Sequence, residues 1–306
     1  AFQYAIDSYY LLDVETNTAY IELANTVGIR HLQSNELNIL KTSTHGVGLQ
    51  IAHALDAGVR SIYIGLGGSA SNDMALGLLE ALGFIFLDSN GALITYSFKN
   101  LSKIHSYELP NSLQKKIQNC SFFAINDVLN PLCGPLGAAN IYGPQKGGSE
   151  ETILAMDGSF EAFVCRFNFP YPCDISLEGG GAAGGTAYGL KAFLNAQFIN
   201  GFDFLASIAC LEDLLVTQKY DCIISGEGSL DNTSFQGKLL GRLIDLTEKH
   251  QLPLLLVCGQ CHFDASALTN THIVELLDEE TPIAQCIAQP FALIENKVYH
   301  FFKFLL

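Results

Sequence analysis

Basic residues and long apolar runs are both scarce in this sequence. The 306 residues include 16 lysines and arginines against 31 aspartates and glutamates, which gives a formal net charge of −15. Nucleic acids and anionic membranes are recognised by concentrated basic patches, and no block of Lys and Arg interrupts the acidic excess. No stretch approaches the roughly 20 uninterrupted apolar residues of a membrane span, and no signal-peptide pattern is present. We therefore expect a cytoplasmic protein that binds neither nucleic acid nor membrane.

The motifs of several common enzyme classes are also missing. The eight histidines form no His-x-x-x-His pair, so a zinc hydrolase has no support. Cys258-Gly-Gln-Cys261 has the spacing of a redox or half-zinc motif, but no second pair accompanies it and we interpret it as coincidence. Gly237-Lys238 is followed by Leu239, so the chain lacks a Walker A loop. The nine cysteines, mostly in apolar runs, indicate reduced thiols rather than a disulfide framework.

The composition and patterning that remain are typical of a compact enzyme of about two domains. Hydrophobic residues make up 49% of the chain and charged residues 15%, which excludes a disordered protein. Beyond residue 185, helical patterns alternate with strand-like runs, and this order predicts a parallel sheet covered by helices. We expect an α/β fold of two α/β domains. Residues 1–175 would form a substrate- and phosphate-binding domain, and residues 176–306 the remainder of a Rossmann-like domain that lacks its N-terminal strands.

Glycine-containing stretches follow four predicted strands, which is where open α/β sheets bind ligands. The first runs from Gly65 to Asp73. Its glycines let a phosphate approach the backbone, and Asp73 is suited to hold Mg²⁺ or accept a proton. The alternative is a tight turn in which Asn72 or Asp73 caps the next helix. The second, from Asn126 to Gly137, begins with Asp127, which suits either a catalytic carboxylate or a solvated turn acid.

The other two stretches carry a lysine and two more acids. Lys146 lies among glycines in the third, 143–148, where it is suited to neutralise phosphoryl charge unless it is a solvated loop residue. The fourth, Gly226 to Asp231, follows a predicted buried strand. Glu227 and Asp231 are suited to coordinate Mg²⁺ or orient a hydroxyl, and the alternative for Asp231 is a helix cap. The feature common to all four is phosphate chemistry.

A different enzyme class matches part of the sequence. Gly65-x-Gly67-x-x-Ala70 fits the dinucleotide-binding fingerprint, and Asp88 ends the next predicted strand. An NAD-dependent oxidoreductase is therefore the alternative function, although the fingerprint does not account for the other three stretches. A non-catalytic descendant of an enzyme is a third class. Such a protein is expected to have lost the acids of these stretches, and here they all remain.

Five motifs, in order, resemble those of the type 1, bacterial-type glycerate kinases. In this sequence they read Gly67-Gly-Ser-Ala-Ser-Asn-Asp73, Asn130-Pro-Leu-Cys-Gly-Pro-Leu-Gly137, Gly143-Pro-Gln-Lys-Gly147, Gly181-Ala-Ala-Gly-Gly185 and Gly226-Glu-Gly-Ser-Leu-Asp231. The resemblance covers essentially the whole chain. It implies Mg²⁺- and ATP-dependent phosphorylation of D-glycerate, typically to 2-phosphoglycerate, in a cleft between two α/β domains. The implied partners are glycerate and ATP, and a homo-oligomer is compatible with the sequence.

With this resemblance, roles can be given to the motif residues. The expected catalytic residues are Asp73, Asp127, Lys146 and Asp231, and the expected Mg²⁺ ligands are Asp73, Glu227 and Asp231. Contacts to substrate or phosphate are expected from Gly67, Gly68, Ser69, Asn72, Asn130, Gly181, Gly184, Gly185 and Glu227. Which acid serves as the general base is left open.

Two departures from the family pattern are visible. Met74 stands where the family usually has glycine, which is expected to narrow the loop slightly. Family members also begin several dozen residues earlier, with an Asp-Ser-Phe-Lys stretch and an Asp-Gly-Gly-Glu-Gly stretch, and neither occurs here. We therefore expect these 306 residues to represent the enzyme incompletely and to be inactive by themselves.

Overall fold

The chain divides into two units, Ala1–Asn200 and Gly201–Leu306. The structure is a computed structural model, and it describes residues 5–231, 239–262, 268–278 and 281–305. Each unit combines parallel strands with helices. The predicted α/β class is therefore confirmed.

In the first unit, short strands alternate with helices. The strands are β1 (Leu11–Asp13), β2 (Thr18–Glu22), β3 (Ser61–Gly65), β4 (Ile85–Leu87), β5 (Leu93–Ile94), β6 (Ser106–Glu108), β7 (Ser121–Ile125) and β8 (Gln197–Ile199). The helices are α1 (Ala24–Val27), α2 (His45–Asp56), α3 (Leu76–Leu82), α4 (Asn111–Gln118), α5 (Ala138–Tyr142), α6 (Glu150–Arg166) and α7 (Ala182–Leu194).

The main sheet of this unit has the strand order β1-β2-β3-β7-β8. β1 and β2 form an antiparallel hairpin, whereas β2, β3, β7 and β8 pair in parallel. Alternate residues of β3 and β7 are buried, as the two-residue period of a strand requires. On the other face, Tyr20, Tyr63 and Phe123 stack across three neighbouring strands. The sequence predicted a parallel sheet only beyond residue 185, so this sheet is a correction.

The unit boundary lies between Asn200 and Gly201, not between residues 175 and 176 as the sequence predicted. β8 extends the main sheet by pairing in parallel with β7. α7 buries Tyr188, Leu190 and Phe193 in the same hydrophobic core as β3 and β7. These contacts fix residues 182–199 to the first unit, and no local change in composition marks that attachment.

The second unit has a three-stranded parallel sheet with helices on both faces. Its elements are α8 (Gly201–Ile208), α9 (Leu211–Thr217), β9 (Ile223–Leu230), α10 (Leu239–His250), β10 (Leu254–Cys261), β11 (Thr271–Glu275), α11 (Ile283–Ala288) and α12 (Pro290–Leu305), with the strand order β11-β10-β9. Leu254 and Leu256 pack against α10, whereas Leu255 and Val257 pack against α12. This arrangement matches the Rossmann-like pattern expected for the region.

Cys258 and Cys261 both lie within β10. Burial raises the pKa of the Cys258 thiol to about 12, so this residue is not a reactive thiolate near neutral pH. Among the described residues, no helix is both long and apolar enough to cross a bilayer.

α2 and α3 approach each other closely at Gly48. A Cβ at this position would lie 2.2 Å from the carbonyl oxygen of Leu78. Gly158, on the exposed side of α6, has open space where its Cβ would be. The fold therefore requires glycine at position 48 but not at position 158.

Gly48→Ala is expected to lower the free energy of unfolding by about 1–3 kcal/mol, because the two helices must separate to admit the methyl group. Gly158→Ala is the matched control. It should stabilise the protein by roughly 0.5–1 kcal/mol, because alanine favours the helix more than glycine does. Thermal and urea unfolding of both variants measure these changes. Equal effects of the two substitutions would contradict the packing described here.

Candidate active site

A cavity of about 560 Å³ lies in the first unit, where β3 and β7 end. Its wall includes Gly67, Gly68 and Ser69 after β3, and Asn126 and Asp127 after β7. Neighbouring parallel strands end at the same edge of a sheet, and this edge is the usual ligand site of open α/β folds. The cavity wall also includes Tyr142, Lys146, Ala182 and Ala183.

The segment after β3 does not form the turn of a dinucleotide-binding fold. Ala70 donates its N–H to the carbonyl of Val27, and Gly68 accepts from Ile29, so the segment pairs with residues 27–29. The next helix, α3, begins only at Leu76. Asp88, the acid that would bind a ribose, accepts hydrogen bonds from the backbone N–H groups of Asn90 and Ala92. The geometry therefore gives no support to the oxidoreductase alternative.

Lys146 is the buried cation of this cavity. Its side chain is only 2% exposed, and Nζ donates to Ser69 Oγ at 2.8 Å and to the Ser71 carbonyl at 2.7 Å. Burial lowers the pKa of Lys146 to about 7, against the opposing effect of the negative Asp73. An ammonium has three donors, so one remains for an anion in the cavity. The solvated-loop alternative for Lys146 does not describe this environment.

Asp73 is also buried, but it serves the neighbouring helices. Its Oδ2 accepts from Thr44 N at 2.8 Å, Thr44 Oγ1 at 2.9 Å and Gly77 N at 3.3 Å. This carboxylate thus joins the starts of α2 and α3. Its Oδ1 has no hydrogen-bond partner among the described residues, and burial raises the pKa of Asp73.

The surroundings of Asp73 do not favour an Mg²⁺ ligand. Mg²⁺ prefers near-octahedral oxygen coordination and usually keeps several waters, whereas Asp73 is 1% exposed and close enough to Lys146 to influence its charge. Among the described residues, no group of three or more His, Cys, Asp or Glu side chains forms a candidate metal centre. Asp127 differs from Asp73, because it is exposed and lines the cavity.

Asn72 and Asn130 are held by protein contacts rather than facing the cavity. Asn72 donates to Met156 Sδ, and its Oδ1 is buried without a hydrogen-bond partner in the described part of the chain. The Asn130 side chain donates to the Leu136 carbonyl and accepts from the Tyr142 hydroxyl. Neither asparagine belongs to the cavity wall.

The glycines at 181, 184 and 185 are needed for close packing. A Cβ on Gly184 would lie 2.2 Å from the Ser71 carbonyl oxygen, and one on Gly181 would lie 2.3 Å from that of Pro131. Ala183, Gly184 and Gly185 all adopt left-handed backbone conformations at the start of α7. The cavity wall is formed by Ala182 and Ala183 instead. This part of the motif therefore shapes the site through packing.

Met74 stands where the resemblance led us to expect glycine, and its backbone conformation is one that favours glycine. Its φ is +50°, in the left-handed region that non-glycine residues seldom adopt, and its side chain is fully buried. Ala75 follows with φ of +61°.

Sequence reasoning did not single out Tyr142 or Thr44. The sequence could have indicated Tyr142, because this residue directly precedes the Gly143-Pro-Gln-Lys motif. It could not have indicated Thr44, because 29 positions separate Thr44 from Asp73 and no local pattern joins them.

Glu227 and Asp231 belong to the second unit. Residues 226–230 continue β9 and pair with β10 as far as Cys261, so they are not a loop after a strand as the sequence suggested. Glu227 lines a separate, largely apolar cavity of about 700 Å³ in this unit, together with Ser225 and Gln260. Asp231 follows β9 directly. The start of the helix that Asp231 was predicted to cap, as the alternative, lies outside the described residues.

Comparison with known proteins identifies the family. The model of the family described as "Glycerate kinase family" matches residues 1–306. An uncharacterized protein of Synechocystis sp. is 31% identical, over 98% of this chain and 80% of its own length. The glycerate 2-kinase of Escherichia coli is 32% identical over 82% of this chain. The chain belongs to the glycerate kinase family.

A solved structure agrees with this family. The crystal structure of a Salmonella typhimurium LT2 protein assigned as glycerate kinase 2 superposes with a TM-score of 0.71 at 29% identity, covering 98% of this chain and 80% of that chain. The family expected from the five motifs is therefore confirmed. This member of the glycerate kinase family spans 65% of the length of the E. coli relative.

The charge state of Lys146 should govern anion binding. Below its pKa of about 7 the group is an ammonium, and above it the group is neutral, so affinity for sulfate should fall about tenfold per pH unit above pH 7. Lys146→Met should remove this pH dependence. It should change the melting temperature by about 3 °C or less, because it also removes the cost of burying a charge. Calorimetric titration with sulfate, whose charge is constant over this range, measures the effect, and an unchanged pH profile in the variant would contradict it.

Proposed function

We propose that the protein carrying this chain transfers the γ-phosphoryl group of MgATP to a hydroxyl of D-glycerate. The observation that carries the proposal is the buried Lys146 ammonium in a cavity whose wall also presents the exposed Asp127. A buried cation stabilises an anion strongly, because little water competes for it. Family membership and the names of the relatives support glycerate as the anion.

Each group in the cavity has a proposed part in the reaction. Lys146, Ser69 and the backbone at Gly67 and Gly68 bind anionic oxygens and stabilise the charge of the transferred phosphoryl group. Asp127 accepts the proton of the attacking hydroxyl, because it is exposed at the cavity. Asp73 is less suited as a base, because its Oδ2 already accepts three hydrogen bonds. Asp73 instead acts at a distance by favouring the charged form of Lys146.

MgATP is the proposed second substrate, and its metal ion would neutralise phosphate charge. The family resemblance supports a proposed role for Glu227 and Asp231, in the second unit, as Mg²⁺ ligands. The proposed product is 2-phosphoglycerate, a choice supported by the E. coli relative named glycerate 2-kinase. Enolase accepts 2-phosphoglycerate and not 3-phosphoglycerate, so an enolase-coupled assay separates the two products. ATP consumption that depends on D-glycerate without an enolase signal would reject the 2-phosphate.

Asp127→Asn in the natural protein should lower kcat by about 100-fold or more, since general-base catalysis contributes at least that factor. Its melting temperature should hardly change, because the side chain is exposed. Asp88→Asn is the matched control, in a turn of the same unit, and should leave kcat unchanged. A wild-type kcat in Asp127→Asn would remove Asp127 as the base, whereas no turnover by the natural protein would reject the function itself.

A further inference from the structure

Tyr142 connects two walls of the cavity in the first unit. It is the last residue of α5 and lines the cavity beside Lys146. The centroid of its ring lies 6.0 Å from Lys146 Nζ. The face of an aromatic ring attracts a cation at this range, and the attraction is stronger where water is excluded. The ring therefore supports the Lys146 ammonium from the cavity side.

The hydroxyl of Tyr142 acts on a different segment. It donates to Asn130 Oδ1 at 2.7 Å, and Asn130 Nδ2 in turn donates to the Leu136 carbonyl at 2.8 Å. Burial raises the pKa of Tyr142, so the hydroxyl stays protonated and remains a donor at neutral pH. The Asn130 amide is thereby fixed at both ends.

Asn130 passes this constraint to a second wall of the cavity. Its backbone carbonyl accepts from Gly181 N at 2.8 Å, and the next two residues, Ala182 and Ala183, line the cavity. Gly181 itself packs so closely on Pro131 that a Cβ there would lie 2.3 Å from the Pro131 oxygen. A shift of Asn130 would therefore move the Ala182–Ala183 wall. The connection runs from the ring beside Lys146, through Asn130, to this wall.

We propose that Tyr142 is a positioning residue, whose ring supports Lys146 and whose hydroxyl, through Asn130, sets the position of the Ala182–Ala183 wall. The inference rests on the proposed function only for the identity of the bound anion. The ring and the hydroxyl of Tyr142 have separate roles in this proposal. Tyr142→Phe removes the hydroxyl and keeps the ring, whereas Tyr142→Leu removes both.

A double-mutant cycle on the natural protein tests this connection, with the Kd for D-glycerate measured by calorimetry. Tyr142→Phe should weaken binding about fivefold, the value of one neutral hydrogen bond, and Asn130→Ala should weaken it at least as much. If the hydroxyl acts through Asn130, the double variant will bind no more weakly than Asn130→Ala alone. In turnover assays, Tyr142→Phe should raise KM by the same factor and leave kcat within about twofold. Tyr142→Leu should bind more weakly than Tyr142→Phe.

Tyr188→Phe is the matched control. It removes another tyrosine hydroxyl of the same unit, one that donates to the Cys173 carbonyl at 2.9 Å, and neither residue lines the cavity. Its melting temperature should fall while its Kd stays at the wild-type value. A wild-type Kd in Tyr142→Phe, or additive effects of Tyr142→Phe and Asn130→Ala, would overturn the proposal.

Sulfate binding distinguishes a failure of this inference from a failure of the proposed function. If the natural protein binds sulfate but not D-glycerate, the proposed substrate is rejected, and the same cycle measured with sulfate decides the role of Tyr142. Binding of neither anion would overturn both.

Discussion

Burial of the Lys146 ammonium is the interaction on which the rest of this site depends. An unpaired ammonium in a protein interior costs several kcal/mol, and in the described part of the chain no carboxylate lies within hydrogen-bond reach of Lys146 to offset that cost. Ser69 and Ser71 supply oxygens, Tyr142 supplies an aromatic face, and Asp73 supplies a negative charge from a greater distance. These interactions keep the pKa of Lys146 at about 7. An anion that enters the cavity would therefore supply the remaining interaction of the ammonium group. The first and third glycine-containing stretches, which supply Ser69, Ser71 and Lys146, are thus parts of one electrostatic arrangement.

Close backbone packing makes that arrangement rigid. Gly184 lies against Ser71, and Met74 donates its N–H to the Gly184 carbonyl. Met74, Ala75 and Ala183 keep left-handed conformations that cost of order 1 kcal/mol or more each. Such strain persists only where the surrounding structure determines it. The segment that supplies Ser69 and Ser71 is therefore held in place before any ligand binds, which lowers the ordering cost of binding.

Local signals in the sequence predicted a large part of this structure, and long-range contacts account for what they missed. The alternation of β9, α10 and β10 is a property of adjacent residues, and it predicted the second unit well. The parallel sheet of the first unit was missed because β3 and β7 are separated by a small antiparallel sheet and two helices. Glycines, Lys146 and Asp127 indicated the site by type and motif. The burial of Asp73 by Thr44 could not be predicted, because no local pattern joins residues 29 positions apart.

Asp73 and Asp127 show how environment separates two identical side chains. Asp73, buried and already accepting three hydrogen bonds, contributes mainly a fixed charge that holds a proton on Lys146. Asp127, exposed at the same cavity, repels a second anionic group unless that group brings a hydrogen-bond donor. On the proposed function, an anion that also carries a hydroxyl would place its negative end at Lys146 and its hydroxyl at Asp127. We therefore expect the charge of Asp127 to favour hydroxy acids over dicarboxylates of similar size in this cavity.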